Sequence, residues 1–222
     1  NYSIKKLIID PSVISTSTIE KLQKTVNYSI EIIEISNEIY KKLALRDSTE
    51  GIIALAEGKN HTINNIKFKH KNPLILVAEA PEKPGNIGAL LRTADAAGID
   101  AVFIANPKTD MYNPNIIRSS VGCVFTTQIA TATTQEIIQY LTVNNIEMYG
   151  AALTASVNYQ TINYTKPCAI IVGTEATGLT NEWLNKTNQN IIIPMKGVID
   201  SMNVSVSAAI IIFEAIRQRN LK

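Results

Sequence analysis

Beyond Pro73 the chain repeats one arrangement: a short, largely uninterrupted apolar run, then a longer segment with helical spacing. The runs fall at 74–78, 101–105, 146–152, 169–172 and 191–193, and the helical segments at 87–97, 135–143 and 203–219. Runs that are continuous rather than alternating belong to strands covered on both faces. Such a chain folds as a parallel sheet with helices packed on each side, an α/β layer architecture.

Residues 1–57 read as a smaller alternating unit. A strand at 7–9 is followed by Ser17 and Glu20, a capping-box pattern, with Ile19, Leu22 and Val26 at helical spacing. Residues 30–35 are rich in β-branched side chains and predict a strand; Ile39 and Leu43 predict one face of a short helix, and 51–56 a closing strand. The result is a βαβαβ unit. Residue 1 is not Met, so a unit trimmed of its first elements is expected. Residues 58–72, polar and basic, read as a linker.

Composition removes several classes of function. With 222 residues and 45% hydrophobic content the chain can bury a proper core. Its densest apolar run, 208–213, is far short of the ~18–20 residues that cross a bilayer, so no membrane partner is expected. The start has no signal-peptide pattern, and a cytoplasmic location follows as the expectation. Cys123 and Cys168 lie inside apolar stretches and read as reduced core residues. His61 and His70 have no ligand-spaced partners, so no metal site is expected. A formal net charge of +2 announces no polyanionic partner; any nucleic-acid contact has to rest on local residues.

Ligands of open α/β sheets bind beyond the carboxyl ends of the strands, and three segments there carry chemistry. Residues 79–92 place Asn86 and Arg92 where a strand turns into a helix; Asn86 as an N-cap and Arg92 as a surface charge is the plain alternative. In 173–178, Glu175 stands near the sheet edge between Gly173 and Gly178, or serves only as a first-turn acid favoured by ~0.3–1 kcal/mol. In 194–205, Ser201, Asn203 and Ser205 crowd one helix entrance, where capping explains one of them at ~1 kcal/mol. Neither the Gly-x-Gly-x-x-Gly order nor a Gly-Lys-Ser/Thr sequence follows Gly85, which removes the ordinary nucleotide cradles.

Taken together the segments resemble the three motifs of the SpoU-type RNA ribose 2'-O-methyltransferases, a branch of the SPOUT knotted methyltransferases. The first is Asn86-x-Gly88-x-x-x-Arg92-x-Ala94-x-x-x-Gly98 and the second Gly173-x-Glu175-x-x-Gly178-Leu179. The third runs from Ile193-Pro194-Met195 through Ser201-x-Asn203-Val204-Ser205. The order is that of the family, over residues 74–219. Where the family commonly has Leu before the third motif's Asn, this chain has Met202, a volume-conserving change. Residues 1–57 resemble, less tightly, the ribosomal-protein-like substrate-binding domain that often precedes this catalytic domain. Asn113-Pro114 with Arg118-Ser119-Ser120-x-Gly122 resembles a segment of rRNA-directed members.

The resemblance implies a deep trefoil knot, a homodimer, and S-adenosylmethionine held by Leu153, Gly173, Ile193, Met195, Ser201 and Met202. It implies methylation of a ribose 2'-OH in structured RNA, rRNA favoured over tRNA, with Arg92 at the hydroxyl and Asn86, Glu175 and Asn203 holding Arg92 and the ribose. A guanidinium, whose pKa lies above ~12, is a poor base, so Arg92 reads as positioner and alkoxide stabiliser. Arg118 and the basic Lys67, Lys69 and Lys71 are expected to grip RNA; those lysines as ordinary solvated charge is the alternative. A tRNA methyltransferase or a catalytically silent RNA-binding module are the competing functions.

Overall fold

The computed structural model describes residues 2–45, 50–154, 156–174 and 176–220, and it divides into two compact units, 1–60 and 61–222. The first unit contains β1 (Ile4–Ile9), α1 (Thr16–Lys24), β2 (Glu31–Glu34), α2 (Asn37–Leu43) and β3 (Ile52–Ala56). Its sheet has the order β2-β1-β3, with β2 parallel and β3 antiparallel to the central β1. Leu7, Ile9 and Ile30 form the buried centre. The expected alternation is present, but two local readings change. Ser15, not Ser17, caps α1, accepting from the Thr18 amide at 3.4 Å. Tyr40 is the residue α2 buries, donating its hydroxyl to the Ile52 carbonyl at 3.1 Å, while Ile39 and Leu43 are exposed. One turn of apolar spacing in so short a helix does not say which face meets the sheet.

In the second unit a 3-10 turn at Ile63–Asn65 leads into β4 (Leu74–Glu79), α3 (Pro84–Ala97), β5 (Ala101–Ala105), α4 (Pro114–Ser119), α5 (Cys123–Thr126) and β6 (Ile129–Ala132). There follow α6 (Thr134–Val143), β7 (Glu147–Ala151), β8 (Ser156–Asn158), β9 (Cys168–Val172), α7 (Asn181–Leu184), β10 (Gln189–Ile192) and α8 (Val204–Asn220). The described strands form one all-parallel sheet in the order β6-β5-β4-β9-β7-β10-β8. β9 lies between the earlier β4 and β7, and β10 between the earlier β7 and β8. Late strands seated between earlier ones are the interleaved order of the knotted α/β fold.

Side chains alternate along β4. Leu74, Leu76 and Ala78 pack with Ile87, Leu90 and Leu91 of α3 and Ile211 and Ile212 of α8; Ile75 and Val77 face Ile137 and Leu141 of α6 and Trp183 of α7. Both faces are covered, which is why the strands carry continuous apolar runs. Cys168 belongs to the first of these layers, and burial pushes its thiol up to about 11. At the amino edge of the sheet Arg219 of α8 donates to the carbonyls of Tyr164 (2.8 Å), Lys166 (2.8 Å) and Asn72, fastening the last helix to the segments that enter β4 and β9.

The segment read as a linker is in large part built into this unit. The His61 carbonyl accepts from the Thr131 amide at 2.7 Å, and Lys67 exchanges backbone bonds with the Gln128 side chain. The buried Asp100 carboxylate accepts from the amides of Lys69 (2.9 Å), His70 (3.1 Å) and Leu74 (3.0 Å). A polar sequence can therefore be ordered, because its backbone donors are met by side chains of distant elements.

One turn is strained. After α4, the Gly122 amide reaches the Ile117 carbonyl at 3.2 Å and the Val121 amide the Arg118 carbonyl at 3.0 Å, the pair of bonds of a Schellman ending. The residue at the left-handed position is Val121, with φ +52°, where glycine is usual. A left-handed conformation costs an ordinary residue roughly 1–2 kcal/mol, and a β-branched one is an outlier there.

Candidate active site

All strands of the second unit run parallel, so the loops after β4, β9, β7 and β10, four neighbours in the sheet, leave from one edge side by side. Sequence places the three motifs there. The loop after β4 enters α3, with Lys83 at the cap and Pro84 in the first turn. Asn86 is therefore inside the helix rather than its cap, since proline is already set for the first helical position and fixes the start ahead of it. Its side-chain oxygen accepts from the Asn203 amide at 3.2 Å. The Asn203 oxygen in turn takes the Ser205 amide (2.9 Å) and hydroxyl (2.6 Å), capping α8. First and third motifs are thus joined by one amide pair.

Arg92 is not part of that pair. It stands six residues beyond Asn86, roughly 9 Å along α3, exposed, and no hydrogen bond or ion pair joins it to a described residue. Asn86 and Asn203 are expected to hold its guanidinium; here Asn203 directs its oxygen to the start of α8 and its amide to Asn86. Arg92 does border Cys123, whose thiol burial and Asp95 push up while Arg92 pulls it down. Glu175 lies outside the described residues.

The second motif folds back on itself. Thr174 and Gly178 exchange backbone bonds at 3.0 and 3.1 Å. A Cβ on Gly173 would stand 2.1 Å from the Gly178 carbonyl carbon, so only glycine fits. Glu79, which ends β4 and is buried, accepts from the Thr180 amide (2.9 Å) and hydroxyl (2.8 Å), tying this loop to its neighbour strand. Sequence reading did not single out Glu79; a carboxylate closing a wholly apolar strand was its signal.

Of the residues expected around a cofactor, Gly173, Ile193, Met195 and Met202 are half-buried, Leu153 and Ser201 exposed, and Ser201 bonds Asp200 at 3.0 Å. Residues 194–202 make no backbone hydrogen bond to a described residue. Unspent amides and carbonyls beside half-buried methionines suit a flat, heteroatom-rich ligand held by main chain. The donor set fits S-adenosylmethionine. Among the described residues, no group of His, Cys, Asp or Glu could hold a metal ion.

Arg118, exposed on α4, is on the candidate site's side of the sheet: its neighbour Ser119 donates to the Pro84 carbonyl at 3.2 Å. Lys67, Lys69 and Lys71 are not. The backbone of Lys67 is fastened to Gln128 and that of Lys69 to Asp100, residues that precede β6 and β5, and Lys71 follows two residues on, so they stand at the opposite edge, a strand length of ~17 Å away. All three are exposed and form no ion pair with a described residue.

Residues 73–213 match the family described as the SpoU rRNA Methylase family. The chain is 35% identical over 139 residues to the 23S rRNA (guanosine(2553)-2'-O)-methyltransferase RlmP of Bacillus subtilis, a match covering 63% of this chain and 56% of that enzyme. It is 36% identical over 148 residues to the tRNA (guanosine(18)-2'-O)-methyltransferase of Escherichia coli K12, covering 66% of this chain and 64% of the enzyme. The structure of an AdoMet-bound rRNA methyltransferase from Sinorhizobium meliloti superposes with a TM-score of 0.88 at 27% identity, covering 98% of this chain and 81% of that one. The chain thus spans less than two thirds of the RlmP and tRNA enzymes.

Proposed function

Because the chain belongs to the SpoU rRNA Methylase family, we propose that it transfers a methyl group from S-adenosylmethionine to a ribose 2'-OH of structured RNA. The observation that carries the reading is the Asn86–Asn203 bond at 3.2 Å, which joins the first and third motifs at the edge where the second also emerges. Bound S-adenosylmethionine supplies an electrophilic methyl. Leu153, Gly173, Ile193, Met195, Ser201 and Met202 hold it, mainly through backbone groups. Arg92 orients the ribose hydroxyl and stabilises the alkoxide as its proton leaves; Glu175 orients Arg92, a carboxylate being the natural partner of a guanidinium fork.

The substrate is rRNA rather than tRNA. Supporting this, likeness to the rRNA methyltransferase structure extends over 98% of the chain, first unit included, whereas likeness to the structure of the A. aeolicus TrmH/SpoU tRNA modifying enzyme extends over 69%. The first unit is the RNA-selecting domain, the working form a homodimer, and the location cytoplasmic. No described helix is long and apolar enough to cross a membrane.

The test is transfer of labelled methyl to total unmethylated rRNA and tRNA, assayed side by side, with mapping of the modified ribose. Label at one rRNA position is expected; label in tRNA alone overturns the substrate assignment, and neither label nor cofactor binding overturns the function. Arg118 grips phosphate near the site, and Lys67, Lys69 and Lys71 take a second stretch of backbone at the far edge. Changing these three lysines to glutamine should then lower the salt dependence of RNA binding by about 1 in logarithmic slope for each. An unchanged slope makes them ordinary surface charge.

A further inference from the structure

The loop after β9 is held from both sides of its own strand, which lies between β4 and β7. Toward β7, Leu179 packs over Gly150: a Cβ on that glycine would stand 2.9 Å from Leu179 Cδ1. Toward β4, Thr180 donates its amide and its hydroxyl to the Glu79 carboxylate, at 2.9 and 2.8 Å. Between these anchors and β9 the loop closes on itself, through the Thr174–Gly178 backbone bonds and the close approach of Gly173 to Gly178. Thr180 is thus two residues from the bridge that shapes the second motif. Glu79 ends the strand that leads into α3 and the first motif.

Packing alone does not call for a carboxylate there. Trp183 of α7 is wholly buried, in one cluster with Ile75, Val77 and Leu179, and already seats this segment on the sheet. An apolar residue at 79 would continue the run of β4, whereas a buried carboxylate loses its hydration and has to be matched by hydrogen bonds. Glu79 is 3% exposed, and among the described residues its oxygens are met by Thr180 alone. Two local penalties accompany the match. Thr180 is the N-cap of α7, yet its hydroxyl makes no cap bond to that helix, being turned to Glu79. The chain then leaves Glu79 through Ala80 at φ +40°, a left-handed position where glycine or asparagine is usual. A buried carboxylate, a forgone cap and a strained residue meet at one point beside the candidate site, and local rules broken together with no gain in packing mark function.

We propose that Glu79 is a positioning residue for methyl transfer: through Thr180 it fixes the loop from Gly173 to Gly178 in the shape that receives S-adenosylmethionine. This rests on the reading of the chain as an RNA methyltransferase. The tie acts before the cofactor arrives, so the loop's backbone groups are set in advance and binding does not have to order them. Glu79 therefore governs cofactor affinity and leaves the methyl-transfer step to Arg92.

The experiment uses the full chain and compares wild type with Thr180→Val, Glu79→Ala and Glu79→Gln. It measures S-adenosylmethionine affinity by calorimetry, amide hydrogen exchange of residues 173–180 without cofactor, kcat on RNA at saturating cofactor, and melting temperature. Emission of Trp183, the chain's only tryptophan, checks that each variant is folded. Thr180→Val removes one donor and keeps the shape. It should weaken S-adenosylmethionine about ten-fold, the lower end of what a hydrogen bond to a charged group is worth, and speed exchange at Thr174 and Gly178. Its kcat should change less than about two-fold, as when binding rather than chemistry is lost. Glu79→Ala should weaken the cofactor further. Glu79→Gln, whose oxygen still accepts the Thr180 amide while its NH2 donates to the hydroxyl, should recover most of the affinity. If Glu79→Ala shifts Trp183 emission, its fold is lost and Thr180→Val decides alone. Unchanged affinity in Thr180→Val overturns the proposal, and a lower melting temperature beside it makes the tie a structural one. A loss confined to kcat also overturns it, as does Glu79→Gln binding as weakly as Glu79→Ala, which would make charge rather than position the requirement. If wild type neither binds S-adenosylmethionine nor methylates RNA, the function falls and this proposal with it; if it does both and the variants match it, only the role of Glu79 falls.

Discussion

Replacing Arg92 by alanine is expected to lower methyl transfer by roughly 10²- to 10³-fold while leaving S-adenosylmethionine affinity nearly intact, the range for losing a donor that stabilises a developing oxyanion. The structure sharpens the reason. Arg92 is exposed on α3 and spends none of its five donors on a described residue, so the guanidinium is available to ribose and phosphate oxygens. Its neighbours Asn86 and Asn203 are occupied with each other. Arg92→Lys keeps the charge but loses the planar fork, and should recover little of the rate. Single-turnover transfer of labelled methyl, paired with calorimetric cofactor binding, separates the two effects. A variant with wild-type turnover removes Arg92 from the chemistry, and one that has lost cofactor binding makes it a structural residue.

The second large effect falls on stability. Gly88→Ala is expected to cost about 3 kcal/mol, the upper end for overpacking, and to lower the melting temperature by roughly 6–12 °C. A Cβ there would stand 2.0 Å from Ser119 Oγ, 2.6 Å from the Ser120 nitrogen and 2.7 Å from the Ser119 carbonyl carbon. The hydroxyl can rotate away, but the two backbone atoms belong to the end of α4 and cannot. The sign is diagnostic, because alanine for glycine inside an unobstructed helix stabilises by about 1 kcal/mol. Gly85 supplies the control on the same helix: nothing lies within 4 Å of its Cβ position, so Gly85→Ala should be neutral or stabilising. Thermal unfolding of the two variants, read together, checks this. Equal melting temperatures would mean that α3 and α4 are not packed this closely.

Both arguments rest on residues that stand out in the sequence, yet for different reasons. Gly88 and Gly173 are legible as motif glycines, but that one seats a helix against its neighbour and the other lets a loop close on Gly178 needs coordinates. The elements themselves were legible wherever burial is complete. The runs at 74–78, 101–105 and 169–172 became β4, β5 and β9, and 135–143 became α6, each within about one residue. Strands at the sheet margin were not legible. β6 carries Thr131, and β8 has only three residues, so neither presents a continuous apolar run. Nor were α4 and α5, which are too short for helical periodicity to accumulate.

What the sequence by itself determined is the class of fold and the chemistry of the motif residues. Burial on two faces leaves continuous apolar runs, and glycine, asparagine and carboxylate side chains keep their chemistry wherever they end up. What only the tertiary structure decided is which residues meet. Asn86 and Asn203 are 117 positions apart and bond; Glu79 and Thr180 are 101 apart and bond. Lys67, Lys69 and Lys71 share a domain with the motifs and face the other edge. The physical reason is that local periodicity reports whether a residue is covered, not by what. Neighbours are set by the order in which strands enter the sheet, and here β9 and β10 enter between strands already laid down.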